Sequence, residues 1–179
     1  MTQSKIAQYR GQQGFTLIEL VVTMILLAIL SVVASSKFID FQNDARKSVM
    51  KAVGGAMNSS LDEIYALAIL KGKEQGNNSI TIEGVNVPLK DGYPAVDSSV
   101  GFPQINAQLK AWVDLDIVDK DTANTNRNAG VLFSDKSTGG EMLFVFFTDH
   151  YDQKGAIDCY VKYENKENGP IVEIVTNEC

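Results

Sequence analysis

From Phe15 to Ala34 the chain reads FTLIELVVTMILLAILSVVA, twenty consecutive residues with a single charge, Glu19. At about 1.5 Å per residue, a helix of that length spans roughly 30 Å, the thickness of a bilayer's hydrocarbon core. No other stretch of the sequence is long and apolar enough to cross a membrane. Lys5 and Arg10 precede the run, and the first fourteen residues hold no acid. Positive flanks stay on the cytoplasmic side, so everything after Ala34 is expected to be exported.

Three readings compete for this segment. A secretory signal peptide would use the small residues Ala34-Ser35-Ser36 for cleavage. Its apolar core, however, is usually about 7–15 residues long, and a carboxylate inside it is a poor choice. A plain single-pass anchor explains the length but not Glu19, since an acid at the centre of such a helix costs about 3 kcal/mol to insert. An ionisable residue in a membrane span is functional by default.

Residues 14–19, Gly-Phe-Thr-Leu-Ile-Glu, followed by Leu20-Val21-Val22, supply the third reading. They resemble the type IV prepilin signature: a short basic leader ending in Gly, then Phe, then Glu at the fifth mature position. The resemblance implies that prepilin peptidase cuts between Gly14 and Phe15, that Phe15 is N-methylated, and that the apolar helix stays on the mature chain. Gly14, lacking a side chain, lets a protease grip the extended backbone. The cut frees an ammonium group at Phe15. In a fibre, that amine can pair with Glu19 of a neighbouring subunit, each charge offsetting the other's burial. The implied partners are further copies in a helical homo-oligomer, the peptidase and the inner-membrane pilus assembly machinery. The expected organisation is a leader (1–14), a transmembrane and assembly half of a long helix (15–34), and a globular head (35–179). The precursor is expected to be single-pass in the inner membrane with its N-terminus cytoplasmic, and the assembled subunit extracellular.

Beyond the apolar run the pattern becomes amphipathic. Phe38, Phe41, Ala45, Val49, Val53, Ala56, Leu61, Ile64 and Ala68 recur at mostly helical spacing, with Asp40, Asp44, Arg46, Lys47, Lys51 and Asp62 between them. No proline occurs before Lys71, so one helix is expected over about residues 15–71, apolar all round in its first half and one-faced in its second. Many relatives of the resembled family carry proline near the end of the apolar half, where this chain has Ser36. Gly54-Gly55 weakens the helix by about 1 kcal/mol per glycine, or else permits close packing. Gly72 and Gly76-Asn77-Asn78 are stop signals.

Ile80–Ile82 and Val85–Val87 alternate as short strands. Gly92-Tyr93-Pro94 and Gly101-Phe102-Pro103 read as turns. Ile105, Leu109, Trp112 and Val113 mark a second helix, and Asp119 to Gly130 a polar loop. Apolar runs at Gly130–Ser134, Glu141–Thr148, Ala156–Glu164 and Pro170–Asn177 complete a C-terminal antiparallel sheet. The fold class is therefore α+β, a type IV pilin fold by resemblance, with the sheet packed on the long helix. Phe38-Ile39-Asp40-Phe41-Gln42-Asn43-Asp44-Ala45-Arg46, Gly92-Tyr93-Pro94-Ala95 and Cys159-Tyr160-Val161-Lys162-Tyr163 are similar to pilins of the mannose-sensitive haemagglutinin (MSHA) type. That similarity implies a structural and adhesive subunit attaching to surfaces or glycans. A minor pilin or a type II secretion pseudopilin would share the leader and helix.

In an exported head, Cys159 and Cys179 are expected to pair. Closing nineteen intervening residues is worth about 3 kcal/mol in the chain-entropy model, and pilins resemble this in carrying a C-terminal disulfide loop. The net charge of −6 becomes −8 once Lys5 and Arg10 leave with the leader, which argues against a broad nucleic-acid surface. No phosphate loop, dinucleotide fingerprint, zinc-protease motif or nucleophile elbow is present. His150, between Asp149 and Tyr151, reads as a turn histidine. Asp114, Asp116, Asp119 and Asp121, followed by Asn124 and Asn126, are oxygen-rich but lack EF-hand spacing and its glycine, so they read as a solvated helix end and loop. No catalytic residue, metal or cofactor is expected. A membrane-tethered enzyme or sensor would need a pocket with convergent polar groups.

Overall fold

Helix α1 runs from Leu17 to Leu70 without a break at residue 36. The computed structural model describes residues 14–97, 99–137, 141–166 and 168–179, with the backbone alone at Ser36; all of the expected leader except Gly14 lies outside the described residues. The chain divides into two units, one ending at Gln42 and one comprising Asn43–Cys179.

α1 stops as its sequence dictates. Gly72 adopts φ +62°, Lys73 N–H donates to the Ala68 carbonyl at 2.8 Å and Gly72 N–H to that of Ile69 at 3.0 Å. This pair of bonds satisfies carbonyls that the helix end would otherwise orphan.

Within the second unit, α1 buries Met50, Val53, Met57, Leu61, Ile64 and Ala68, a stripe at three- and four-residue steps. The large side chains among them contribute roughly 1.5–3 kcal/mol each. The expected stripe was partly misplaced: Phe38, Phe41, Ala45 and Val49 are exposed, and Met50 and Met57 take the core positions assigned to Val49 and Ala56. Either residue of each neighbouring pair satisfies apolar periodicity, and only the sheet's position decides between them. Flexible, unbranched methionine suits an irregular interface. Gly54 does permit close packing, since a Cβ there would lie 2.4 Å from Ile174 Cδ1.

Strands β1 (Asn77–Ile82), β2 (Val85–Lys90) and β3 (Tyr93–Pro94) form a small antiparallel sheet. Tyr93-Pro94, read as part of a turn, is a strand; the turn is Asp91-Gly92, with both residues at positive φ. After α2 (Phe102–Trp112) come β4 (Ile117–Asp119), α3 (Lys120–Thr125), β5 (Leu132–Lys136), β6 (Met142–Phe147), a 3₁₀ helix (Thr148–Gln153), β7 (Cys159–Lys166) and β8 (Gly169–Thr176). Strands β4 to β8 form one sheet in sequence order, antiparallel except for the β4–β5 pair. Neither β4 nor α3 is apparent in the sequence. The first is three residues long, and the second is a single turn and a half nucleated by its cap.

The sheet is packed on both faces. Leu143, Val145, Phe147, Val161 and Tyr163 face the main core with α1 and α2. Phe133 and Phe146 form a second cluster on the outer face with Ala123 and Tyr151. The buried Tyr163 hydroxyl donates to the Pro94 carbonyl at 2.6 Å, and Asn165 Nδ2 to that of Lys90 at 2.8 Å, tying the two sheets together. Burial raises the Tyr163 pKa. Cys159 and Cys179 are disulfide-bonded with Cα atoms 4.9 Å apart, fastening the chain end to β7.

Candidate processing and assembly site

Gly14, Phe15 and Thr16 precede the first helical residue, Leu17. Thr16 explains why the helix begins there. Its carbonyl accepts from Leu20 N–H at 3.2 Å, and its Oγ1 accepts from Glu19 N–H at 3.3 Å. Thr-x-x-Glu is the sequence of a capping box, so the motif that supplies the acid also sets the helix start. The Gly14–Phe15 peptide is left just outside the helix, with Phe15 79% exposed. Among the described residues, a Cβ at Gly14 would meet nothing within 4 Å.

Glu19 lies in the first turn of α1, where the helix macrodipole favours a negative charge by about 0.3–1 kcal/mol. Behind it the side chains from Leu20 to Val33 are exposed. This helix alone, among the described residues, is long and apolar enough to cross a membrane. Three hydroxyls of its apolar half are satisfied within the helix: Thr23 Oγ1 donates to the Leu20 carbonyl at 2.8 Å, Ser31 Oγ to that of Leu27 at 2.7 Å and Ser35 Oγ to that of Ser31 at 2.8 Å. Internal satisfaction is what a lipid environment demands. Among the described residues of the span, the Glu19 carboxylate is the one side-chain group left needing a partner.

The other flagged residues have local roles. Asp119 caps α3, accepting from Asp121 N–H and Thr122 N–H, both at 3.0 Å, and from Thr122 Oγ1 at 2.6 Å. Burial pushes its carboxyl up, but those hydrogen bonds outweigh it and hold the group below the usual carboxylate range. No group of three metal-ligating side chains occurs among the described residues. His150 sits in the 3₁₀ helix after β6, its Nε2 2.9 Å from an Arg46 nitrogen. Burial lowers its pKa, with Asp149 opposing and the Arg46 charge adding to the effect. Arg46 also pairs with Asp149 and lies over the Phe147 ring at 5.0 Å. This link from α1 to the 3₁₀ helix has no sequence signal beyond an arginine at the helix's half-buried edge.

Sequence reasoning also missed the outer face of the sheet. The available signal was β6, Met-Leu-Phe-Val-Phe-Phe, apolar at every position where a strand with one wet face alternates.

Residues 9–35 match the family model described as the prokaryotic N-terminal methylation motif. The matched segment contains Gly14, Phe15, Thr16 and Glu19. Neither the curated proteins nor the solved structures give a match to this chain. The N-terminal region is that of a type IV pilin-like or pseudopilin substrate of prepilin peptidase, a membrane-anchored precursor suited to assembly into a pilus-like polymer.

Proposed function

We propose that the chain is a structural subunit of an MSHA-like type IV pilus, cut between Gly14 and Phe15, N-methylated on Phe15 and polymerised into a surface fibre used for attachment. The observation that carries this reading is the end of α1: an exposed Gly-Phe peptide ahead of a capped apolar span in which, among the described residues, the Glu19 carboxylate is the one side-chain group left needing a partner. The leader is 1–14, the assembly segment 15–34 and the head 35–179. Lys5 and Arg10 hold the N-terminus in the cytoplasm until the cut.

Leaving lipid for a bundle of like helices gains little hydrophobic energy, because lipid tails are already apolar. Close packing and the pairing of Glu19 with a neighbour's Phe15 amine therefore supply the specificity. The cost of inserting Glu19 becomes the means of fixing register between subunits.

Gly14→Val tests the processing step cleanly, since a Cβ at that position meets nothing within 4 Å among the described residues. The variant is expected to insert and fold but to accumulate at precursor mass. Normal maturation of Gly14→Val would overturn the assigned cut. The same N-terminal motif serves pseudopilins, which form a short periplasmic piston. Abundance of the chain in sheared surface fibres separates the two, and the disulfide-closed C-terminus favours the pilin.

A further inference from the structure

The five-stranded sheet carries more apolar surface on its outer face than the fold covers. Along β6, Leu143, Val145 and Phe147 point into the main core, while Phe144 and Phe146 stand on the opposite face. Ala123 and Tyr151, from α3 and the 3₁₀ helix, cover Phe133 and Phe146. Phe144 and Tyr160 lie beyond that cover, half-buried, with ring centroids 5.8 Å apart in an edge-to-face arrangement.

Phe144, Phe146 and Tyr160 line a groove of about 360 Å³ whose charged lining residues are Asp135, Lys136, Lys154 and Asp158, with the Lys136 ammonium donating to the Val100 carbonyl and lying 5.4 Å from the Phe102 ring centroid. That volume falls in the range of small-molecule sites, about 300–1,000 Å³. Asp135 is neutralised by Lys120 at 2.8 Å. The Lys154 ammonium lies 3.4 Å from the Tyr151 ring centroid and donates to the Tyr151 carbonyl at 3.2 Å. Among the described residues, no hydrogen bond or ion pair engages the Asp158 carboxylate or the Tyr160 hydroxyl. The backbone beneath them is fixed: Asp158 N–H donates to Glu178 at 3.0 Å, and the next residue is disulfide-bonded Cys159. A preorganised rim binds without a large ordering cost.

These features select a ligand class. The negative π faces of Phe144 and Tyr160 attract polarised C–H groups. Lys154 donates to hydroxyls, and the Asp158 carboxylate accepts from them. Lys136 and Lys154 against Asp135 and Asp158 give the lining no net formal charge to favour a charged ligand. We propose that this groove binds a short stretch of neutral polysaccharide, its C–H faces on Phe144 and Tyr160 and its hydroxyls on Asp158 and Lys154. The assignment rests on the attachment role proposed above and gives that role a site.

The test uses the detergent-solubilised full chain on an array of neutral hexose and N-acetylhexosamine oligosaccharides, with sialylated and sulfated counterparts alongside. Neutral oligosaccharides are expected to be retained. Asp158→Asn and Tyr160→Thr should each weaken retention about tenfold or more, equivalent to about 1.4 kcal/mol. Asp158 is exposed, so its variant keeps the test valid should Tyr160→Thr fold poorly. Retention of charged glycans only, of no glycan, or of neutral glycans equally by wild type and Asp158→Asn would overturn the assignment. Loss of fibre formation in both variants with no glycan bound by wild type would also overturn it, and would make the face a contact between copies. Fibres of the wild type are scored in parallel. Normal fibres without glycan binding refute the groove alone, whereas a wild type that forms no fibre refutes the pilin reading.

Discussion

Gly92→Ala should destabilise the head by about 2–4 kcal/mol, and the structure divides that figure into two parts. Gly92 sits at φ +81°, and placing a Cβ in the left-handed region costs about 1–2 kcal/mol. The new methyl would also lie 2.7 Å from Tyr65 Cδ2 and 3.2 Å from the Glu74 Cα. The Glu74 atom is backbone. The Tyr65 ring is stacked on Tyr93 at 4.7 Å and 10°, so neither neighbour yields freely, and overpacking adds about 1–3 kcal/mol. Reduced entropy of the unfolded chain returns about 0.4–1 kcal/mol. Gly84→Ala is the control, at φ +83° with nothing within 4 Å of its Cβ. It carries the conformational part alone, about 1–2 kcal/mol less the same unfolded-chain return of about 0.4–1 kcal/mol. Trp112, the single tryptophan, is buried 5.2 Å from Tyr163, so its fluorescence reports urea unfolding of the full chain in detergent. With a slope of about 2 kcal/mol/M, the Gly92→Ala midpoint should fall by roughly 1–2 M and the Gly84→Ala midpoint by no more than half that. Equal shifts would refute the packing contribution of Tyr65.

Two further perturbations address assembly and the α3 cap. Glu19→Ala should insert at least as well as wild type, since it removes an acid costing about 3 kcal/mol, yet yield almost no fibre: each Phe15 amine would be buried unpaired at about 3–5 kcal/mol. Wild-type amounts of sheared fibre from this variant would contradict the pairing. Asp119→Ala should cost about 1 kcal/mol at neutral pH through loss of the cap. Because the folded Asp119 pKa is lowered from its ordinary 3.8, its stabilisation is fully present above that value and lost as pH falls through the folded one. Unfolding curves of variant and wild type should therefore converge in acid; a difference that persists there would contradict the hydrogen-bonded carboxylate.

The apolar N-terminal part of α1 was legible because one requirement governs it. Phe15 to Ala34 must satisfy a bilayer, and that requirement shows in composition alone. Gly72, the β1–β2 pair and the four C-terminal strands were legible for the same reason, each written in a local pattern of turn residues or alternation. The choice of Met50 over Val49 was not. It depends on which flank of α1 the sheet meets, a tertiary fact that leaves no trace in spacing. Strand β4 escaped notice because three residues make no period, and it gains its place by pairing parallel to β5. The groove on the outer face escaped because its floor comes from β6 and β7 and its rim from the segment between the 3₁₀ helix and β7. Only β6 hinted at it, by being apolar on both sides.

The cut at the head of α1 is the claim on which the rest depends, and the intact mass and N-terminal sequence of the mature chain test it most directly. The account predicts a chain beginning at N-methylated Phe15, with the apolar helix retained. A mature chain beginning at Lys37, or one still carrying Met1, would contradict it.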